Sequence, residues 1–306
     1  MLGAILGLGY AAFFGANNIF VRRGVLRVSS NVIATLTIFT GPVFFFLLTL
    51  VTGDLLKIPG FTLKAIIYFA LSGIVHFAMG RTFGYRANQI LGATRAGIMT
   101  GLNAIVSIIL AISILKETLT PLMILGICFS LSGPIIMGLK EANNAKNFDL
   151  KSPRQLNSLD RKTFFKGILF GAGAAFFWGS SSIFIKLGLE AGGSSLAGSF
   201  IAYTAASFIV SFSLLNRKNR DEIIKVDKQS FKLAMISGFT TNMAQMLRYL
   251  AFSYGTVIVV SLASRTMPIW TLLLSFIFNR KLESFSRWVL LGNAMLVIGT
   301  ILVLMK

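Results

Sequence analysis

Acidic side chains are kept out of long stretches of this chain, and that exclusion limits its fold more than any other feature. All ten aspartates and glutamates fall between apolar runs or at their ends: Asp54, Glu117, Glu141, Asp149, Asp160, Glu190, Asp221, Glu222, Asp227 and Glu283. The runs cover roughly residues 2–21, 31–52, 64–90, 93–115, 119–139, 165–185, 195–215, 231–253, 256–279 and 286–305. Each approaches the roughly 20 residues that a helix needs to cross hydrocarbon. Only 13% of the residues are charged and 55% are hydrophobic, whereas soluble domains carry about 25% charge. So few charges could not cover a water-facing surface. The expectation is an all-α polytopic membrane protein with ten transmembrane helices. The runs are too long for a membrane β-barrel and do not alternate polar with apolar residues. The amino terminus lacks a basic segment and a small-residue cleavage site, so the first run reads as a span.

The 29 lysines and arginines exceed the acids by 19. They lie mostly in short breaks between the runs, a placement that fits membrane topology and anionic lipid headgroups rather than a nucleic-acid groove. No nucleic-acid partner is expected. The basic breaks cluster around Arg22–Arg27, residues 140–163, Arg217–Lys228 and Arg280–Arg287. The positive-inside rule places those breaks in the cytoplasm and both termini outside. One cysteine, Cys128, and one histidine, His76, allow neither an internal disulfide nor a Cys/His metal cluster. Cys128 reads as a spare buried thiol, and no metal or cofactor is expected.

The chain repeats itself. Residues 2–24 align without a gap on 166–188. Gly3, Gly7, Gly9, Ala11, Phe13, Gly15, Ile19, Phe20 and Gly24 meet Gly167, Gly171, Gly173, Ala175, Phe177, Gly179, Ile183, Phe184 and Gly188. The same offset sets Tyr85 on Tyr249, and a slightly larger one sets Glu117 on Glu283 and Gly133 on Gly299. The reading is a first repeat over 1–139, a polar basic linker over 140–163 and a second repeat over 164–306. With five spans each, an odd number, the copies are inverted relative to one another. Inverted repeats are a mark of secondary transporters, whose substrate site lies near the midplane between the halves. The spaced glycines, such as Gly3 and Gly7, read first as close-packing positions.

The paired motifs resemble the drug/metabolite transporter superfamily, specifically its ten-span EamA-type members. They are FFGANNIF and FFWGSSSIFIK, YRANQILGATRAG and LRYLAFSYGTV, and LKETLTPLMILG and KLESFSRWVLLG. The resemblance implies a five-plus-five inverted-repeat bundle with a central cavity. It also implies ATP-independent export or exchange of small organic metabolites, and cytoplasmic termini, opposite to the charge count. Asn103 stands where the second repeat has Pro268 and where the family often has proline, so the resemblance does not extend to a kink in span 4.

Five arginines fall within or beside the runs. Arg86 and Arg95 flank the turn near Gly92 and read as residues whose heads reach the lipid headgroups. Arg248 stands near the end of its run and fits either role. Arg81 and Arg265 lie deepest and are expected to face a cavity. No carboxylate in the spans pairs with them, which favours an anionic or zwitterionic substrate. His76 titrates near neutral pH when unperturbed, but a lone histidine on an apolar helix reads first as structural. The neutral polar positions recur between halves. Asn17 and Asn18 match Ser181 and Ser182, while Asn242, Gln245 and Tyr249 share one helical face. In the first repeat the counterpart of Gln245 is Arg81, with Tyr85 one turn beyond it. Trp178, Phe13, Phe14 and Phe177 are further candidates for the cavity wall. Glu117 and Glu283 read as caps of the helices that follow them, or as parts of a gate.

Together these residues predict a secondary transporter of the cell membrane (plasma or inner) moving a small anionic or zwitterionic metabolite by alternating access. Candidates are an amino acid, a carboxylate or a phosphorylated compound. Its expected partners are that small molecule and membrane lipid, with oligomeric state open, a monomer included. The alternative is a flippase for an anionic lipid headgroup or lipid-linked sugar. A membrane enzyme is disfavoured, because the spans offer no Asp or Glu and only one His and one Cys.

Overall fold

The computed structural model describes residues 1–25, 27–91, 99, 102–148, 161–278 and 287–305. Among these there is no strand. The helices are α1 (Leu2–Val25), α2 (Ser30–Thr52), α3 (Leu63–Gly73), α4 (Arg81–Leu91), α5 (Asn103–Leu115), α6 (Pro121–Phe148) and α7 (Arg161–Glu190). After them come α8 (Ser195–Ser211), α9 (Arg217–Ile224), α10 (Lys228–Tyr254), α11 (Val257–Ala263), α12 (Met267–Phe278) and α13 (Arg287–Leu304). Their starts follow the local chemistry. Thr62, Ser194 and Thr256 accept from the backbone N–H three residues on, and Asp227 accepts from Gln229 and Ser230. Each thereby satisfies a donor that the first turn leaves over. Gly53 ends α2 at φ 74°, the left-handed turn that suits a residue without Cβ.

Five helical runs are long and apolar enough to cross a membrane: Leu2–Val21, Asn31–Thr52, Leu63–Gly84, Lys162–Glu190 and Ser195–Leu215. Shorter apolar helices cover Asn103–Leu115, Pro121–Gly133, Val257–Thr271 and Leu290–Leu302. The expected eighth span, α10, has 27 residues and reaches roughly 40 Å at the helical rise. It is not apolar enough to stand with the others, because it carries Asn242, Gln245 and Arg248 along its buried side.

Two runs are irregular. Between α3 and α4 the chain makes a π-helical stretch, Ile74–Gly80. Between α11 and α12 it makes a 3₁₀ turn, Ser264–Thr266, with Pro268 in the first turn of α12. Proline is tolerated there because the first-turn N–H groups have no intrahelical acceptor. The break lies in the expected ninth span, where the proline was. The fifth run also extends past its expected end, since α6 continues to Phe148.

Helices pair in a pattern that survives exchange of the two halves of the chain. α1 packs on α10 and α12, whereas its counterpart α7 packs on α3, α4 and α5. α2 packs on α8, and α6 on α13. Glycines set these close approaches. A Cβ on Gly15 would stand 2.8 Å from that of Trp270 on α12, and one on Gly179 would stand 2.6 Å from the Asn103 carbonyl on α5. The spaced glycines are thus packing positions, as read. Phe45, Phe77 and Tyr203 form one buried aromatic group, with Phe77 and Tyr203 ring centres 4.3 Å apart. Cys128 is a correction. Instead of being buried, it is exposed on α6 beside Ile124, Leu125 and Phe129, a stripe at helical spacing that faces away from the bundle.

The π stretch begins where α3 meets α8. A Cβ on Gly73 would sit 1.9 Å from the Ala202 carbonyl oxygen, whereas one on Gly60 would meet nothing within 4 Å. Gly73→Ala is therefore expected to lower stability by about 1–3 kcal/mol through overpacking, and Gly60→Ala to stay within about 0.5 kcal/mol of the parent. Unfolding both variants in detergent checks the difference.

Candidate substrate-binding site

The π stretch widens one turn and turns His76 toward α7 and α10. Trp178 on α7 makes that approach possible. Its indole lies against Gly80 and Gly84, where any Cβ would come within 2.4 and 2.8 Å of ring carbons. The indole N–H donates to the His76 carbonyl at 3.0 Å. Irregular helical turns of this kind recur at functional sites.

Arg248, on α10, is 6% exposed and stands at the centre of the cluster. Its Nη2 donates to Ser181 Oγ at 3.0 Å and Ser182 Oγ at 2.9 Å. Its Nη1 lies 3.2 Å from His76 Nδ1 and 3.4 Å from Gln245 Oε1. Phe252 lies on the other side, 5.5 Å from the guanidinium carbon to the ring centre. His76 Nδ1 is also 2.9 Å from Ser181 Oγ. Arginine can only donate, so the Nδ1 that it meets carries a lone pair and the ring proton belongs on Nε2. Among the described residues every polar partner of Arg248 is neutral. Burying a guanidinium on neutral acceptors leaves its positive charge uncompensated.

The other two deep arginines lie around this centre. Arg81 opens α4 and donates to the Ala34 carbonyl and to Thr37 Oγ1, each at 3.2 Å, with its guanidinium 5.6 Å from the centre of the Phe77 ring. It lines a pocket of about 380 Å³ together with Asn31, Thr35, Arg86, Asn219 and Glu222. Arg265 occupies the 3₁₀ break between α11 and α12, half-buried. Arg81 and Arg248 both act electrostatically on His76, and Arg248 and Arg265 both act on Tyr10.

The remaining expected residues mostly tie helices together. Tyr249 Oη meets Ser72 Oγ at 2.8 Å, and Asn242 donates to Thr40 Oγ1 at 3.1 Å. Asn17 Oδ1 accepts from Ser237 Oγ at 2.5 Å, and Asn18 donates to Thr271 Oγ1 at 3.2 Å. The bundle brings His76, Trp178, Ser181, Ser182, Gln245 and Arg248 together, and sets these four outside that group. Phe177 and Phe13 pack elsewhere, Phe177 on Phe83 at 5.0 Å and Phe13 partly exposed. Phe14 rests on Tyr10 at 5.6 Å. The Tyr85 side chain, Arg95 and Glu283 lie outside the described residues. The hydroxyl partners Thr37, Thr40, Ser72, Ser237 and Thr271, and the phenol of Tyr10, were not singled out by sequence. Hydroxyls are frequent in apolar helices, and nothing in their spacing marks these.

At the end of the bundle that carries residue 1, contacts close the interior. Glu117 accepts from the backbone N–H of Val257 at 2.6 Å and of Ile258 at 2.9 Å, capping α11. This corrects the expectation that it caps the helix after it. That helix begins with Pro121, which has no N–H, and Thr120 Oγ1 already accepts from Met123. Lys186 Nζ donates to the Phe252 and Gly255 carbonyls at 3.1 and 3.3 Å. The turn between α10 and α11 is thus held on both sides. Ser194 donates to Asp54 at 3.2 Å, Thr62 donates to the Ala191 carbonyl, and Ser195 bonds Ser253. The pocket beside Arg81 lies toward the opposite end, near the loops at Ser29 and Ser213.

A sequence profile described as the EamA-like transporter family matches the chain twice, over residues 1–139 and 165–305. One crystal structure of another protein superposes with a TM-score of 0.72 at 13% identity, covering 98% of this chain and 95% of that one. That likeness shows a shared fold. No curated protein matches.

Glu117 offers a direct test of the closed end. Glu117→Ala leaves the two N–H groups of α11 without their carboxylate and is expected to cost about 1–3 kcal/mol. Glu117→Gln keeps one acceptor oxygen and is expected to recover part of it. Thermal unfolding of the purified variants measures both.

Proposed function

Taking as premise that the chain belongs to the EamA-like transporter family, and so is a membrane transporter of the drug/metabolite kind, we propose that it carries a small organic anion or zwitterion by alternating access. Ten spans form two inverted repeats, and Arg248 is the binding station between them. The observation that carries this reading is the buried Arg248 guanidinium with neutral partners only. Ser181 and Ser182 hold its fork. A carboxylate or phosphate, which matches the fork with two parallel N–H···O bonds, is a better partner than two hydroxyls. Arg81 and Arg265 deepen the positive potential, and a low-dielectric surround lengthens its reach. The reading therefore favours anions and disfavours organic cations.

The state described here fits one limb of the cycle. The Arg81 pocket is accessible from one end, and the Glu117 and Lys186 contacts seal the other. Rocking one repeat against the other would break the second set and close the first. Each half has one interrupted run, the third span at the π stretch Ile74–Gly80 and the ninth at Ser264–Thr266, and transporters of inverted-repeat design put their sites at interrupted helices.

A ligand that binds only the folded protein raises its stability, by about 2.7 kcal/mol at a hundred times Kd. Amino acids, carboxylates, sugar phosphates and organic cations are each added to purified protein and its unfolding temperature measured. Anions or zwitterions are expected to stabilise, and Arg248→Gln is expected to weaken that effect at least about tenfold in concentration. Stabilisation by organic cations alone would overturn the reading. Stabilisation by short-chain phosphatidylglycerol alone would move it to a lipid headgroup.

A further inference from the structure

We propose that His76 couples proton binding to anion binding at Arg248, so that the protein carries a proton and a monoanionic carboxylate together. This rests on the transport reading above. His76 Nδ1 is the acceptor for Arg248 Nη1 at 3.2 Å. Protonating that nitrogen would set an imidazolium N–H against a guanidinium N–H, two cations with no acceptor between them. The surroundings offer no relief. From α10 the ring meets Arg248, from α4 it feels Arg81, and from α7 it meets Ser181 and Trp178. Beyond Phe77, from α8, stands Tyr203, and Tyr249 on α10 is bonded to Ser72. None of these is a carboxylate. In this arrangement the Nδ1 lone pair of His76 is engaged by Arg248.

An arriving carboxylate changes the accounting. One of its oxygens accepts from the Arg248 fork, and that withdraws Nη1 from His76. The freed Nδ1 can then bind a proton from water and donate it as an N–H to the second carboxylate oxygen. No covalent bond other than this N–H forms, and the proton leaves with the anion when the site opens on the far side. The net charge of the cluster is the same empty and loaded, because proton and carboxylate cancel. A buried site of low dielectric tolerates the two states equally only under that condition. The arrangement thus predicts cotransport in one direction, without net charge for a monoanion.

His76 is the sole histidine, so selective isotope labelling of histidine gives one imidazole, readable by NMR in the full-length detergent-purified protein carrying a non-histidine tag. The probes are L-lactate, benzoate and L-glutamate, whose charges stay constant between about pH 5 and 8, the range over which a free histidine titrates. Without a probe the ring is expected to remain the Nε2–H tautomer over that range. With a probe that stabilises the protein it is expected to become imidazolium. Apparent affinity for that probe is expected to rise up to tenfold for each pH unit lowered, the limit for one linked proton. His76→Gln keeps an acceptor for Arg248 and is expected to bind with no pH dependence. A stabilising probe that leaves His76 neutral, with affinity flat in pH, would overturn the coupling and leave the transport reading standing. An imidazolium in the empty protein at pH 7 would overturn it as well. Failure of every probe to stabilise the protein at any pH would remove both readings together.

Discussion

A buried guanidinium without a counter-charge must be solvated by the protein itself, and the architecture around Arg248 is organised by that need. Two serines of α7, Gln245 of its own helix and the imidazole of His76 surround it. Each comes from a different place in the chain, so three elements must meet at one point. α7 has to lie close to the π stretch, which it does through Trp178 over Gly80 and Gly84. α10 has to turn its polar side inward, which excludes it from the strongly apolar helices. The cost of that polar side is reduced because Asn242, Gln245 and Arg248 each make a side-chain hydrogen bond within the bundle.

The same logic accounts for the irregular turns. A straight α-helix from Leu63 to Leu91 would fix the facing of all its residues by one period. Inserting a π turn shifts the facing of everything after it, so that Arg81 and His76 serve different neighbours. Arg81 reaches α2, and His76 reaches α7 and α10. In the second half it is the expected ninth span that is interrupted, by a 3₁₀ turn at Arg265.

The two halves match in framework and differ in chemistry. Arg248 corresponds to Gly84, and Trp178 corresponds to Phe14. In the first half a missing side chain at Gly84 admits the indole of Trp178. In the second half the same position supplies the guanidinium. Duplication thus set the places, and substitution at a few of them built one cationic centre instead of two. Glu117 shows a further division of labour, since it caps a helix of the opposite half and so joins the halves at the closed end.

The apolar runs, the placement of acids outside them, the internal repeat and the family were all legible in the residues, because each depends on local composition or on self-comparison. Glycine packing positions were legible for the same reason. Which arginine becomes central was not. Depth along the runs pointed first to Arg81 and Arg265, while Arg248, near the end of its run, fitted either role. Depth is a one-dimensional measure, and partner choice depends on how each helix is rotated about its axis. That rotation is fixed by neighbours and by the π turn after Gly73, which have no signature in a single sequence, and by the break at Ser264, which Pro268 marks without setting its angle. The sequence determined a polytopic helical transporter rich in buried cations. Only tertiary packing decided that His76 and Arg248 would touch, because contact between residues 172 positions apart is settled where helices cross rather than where they begin.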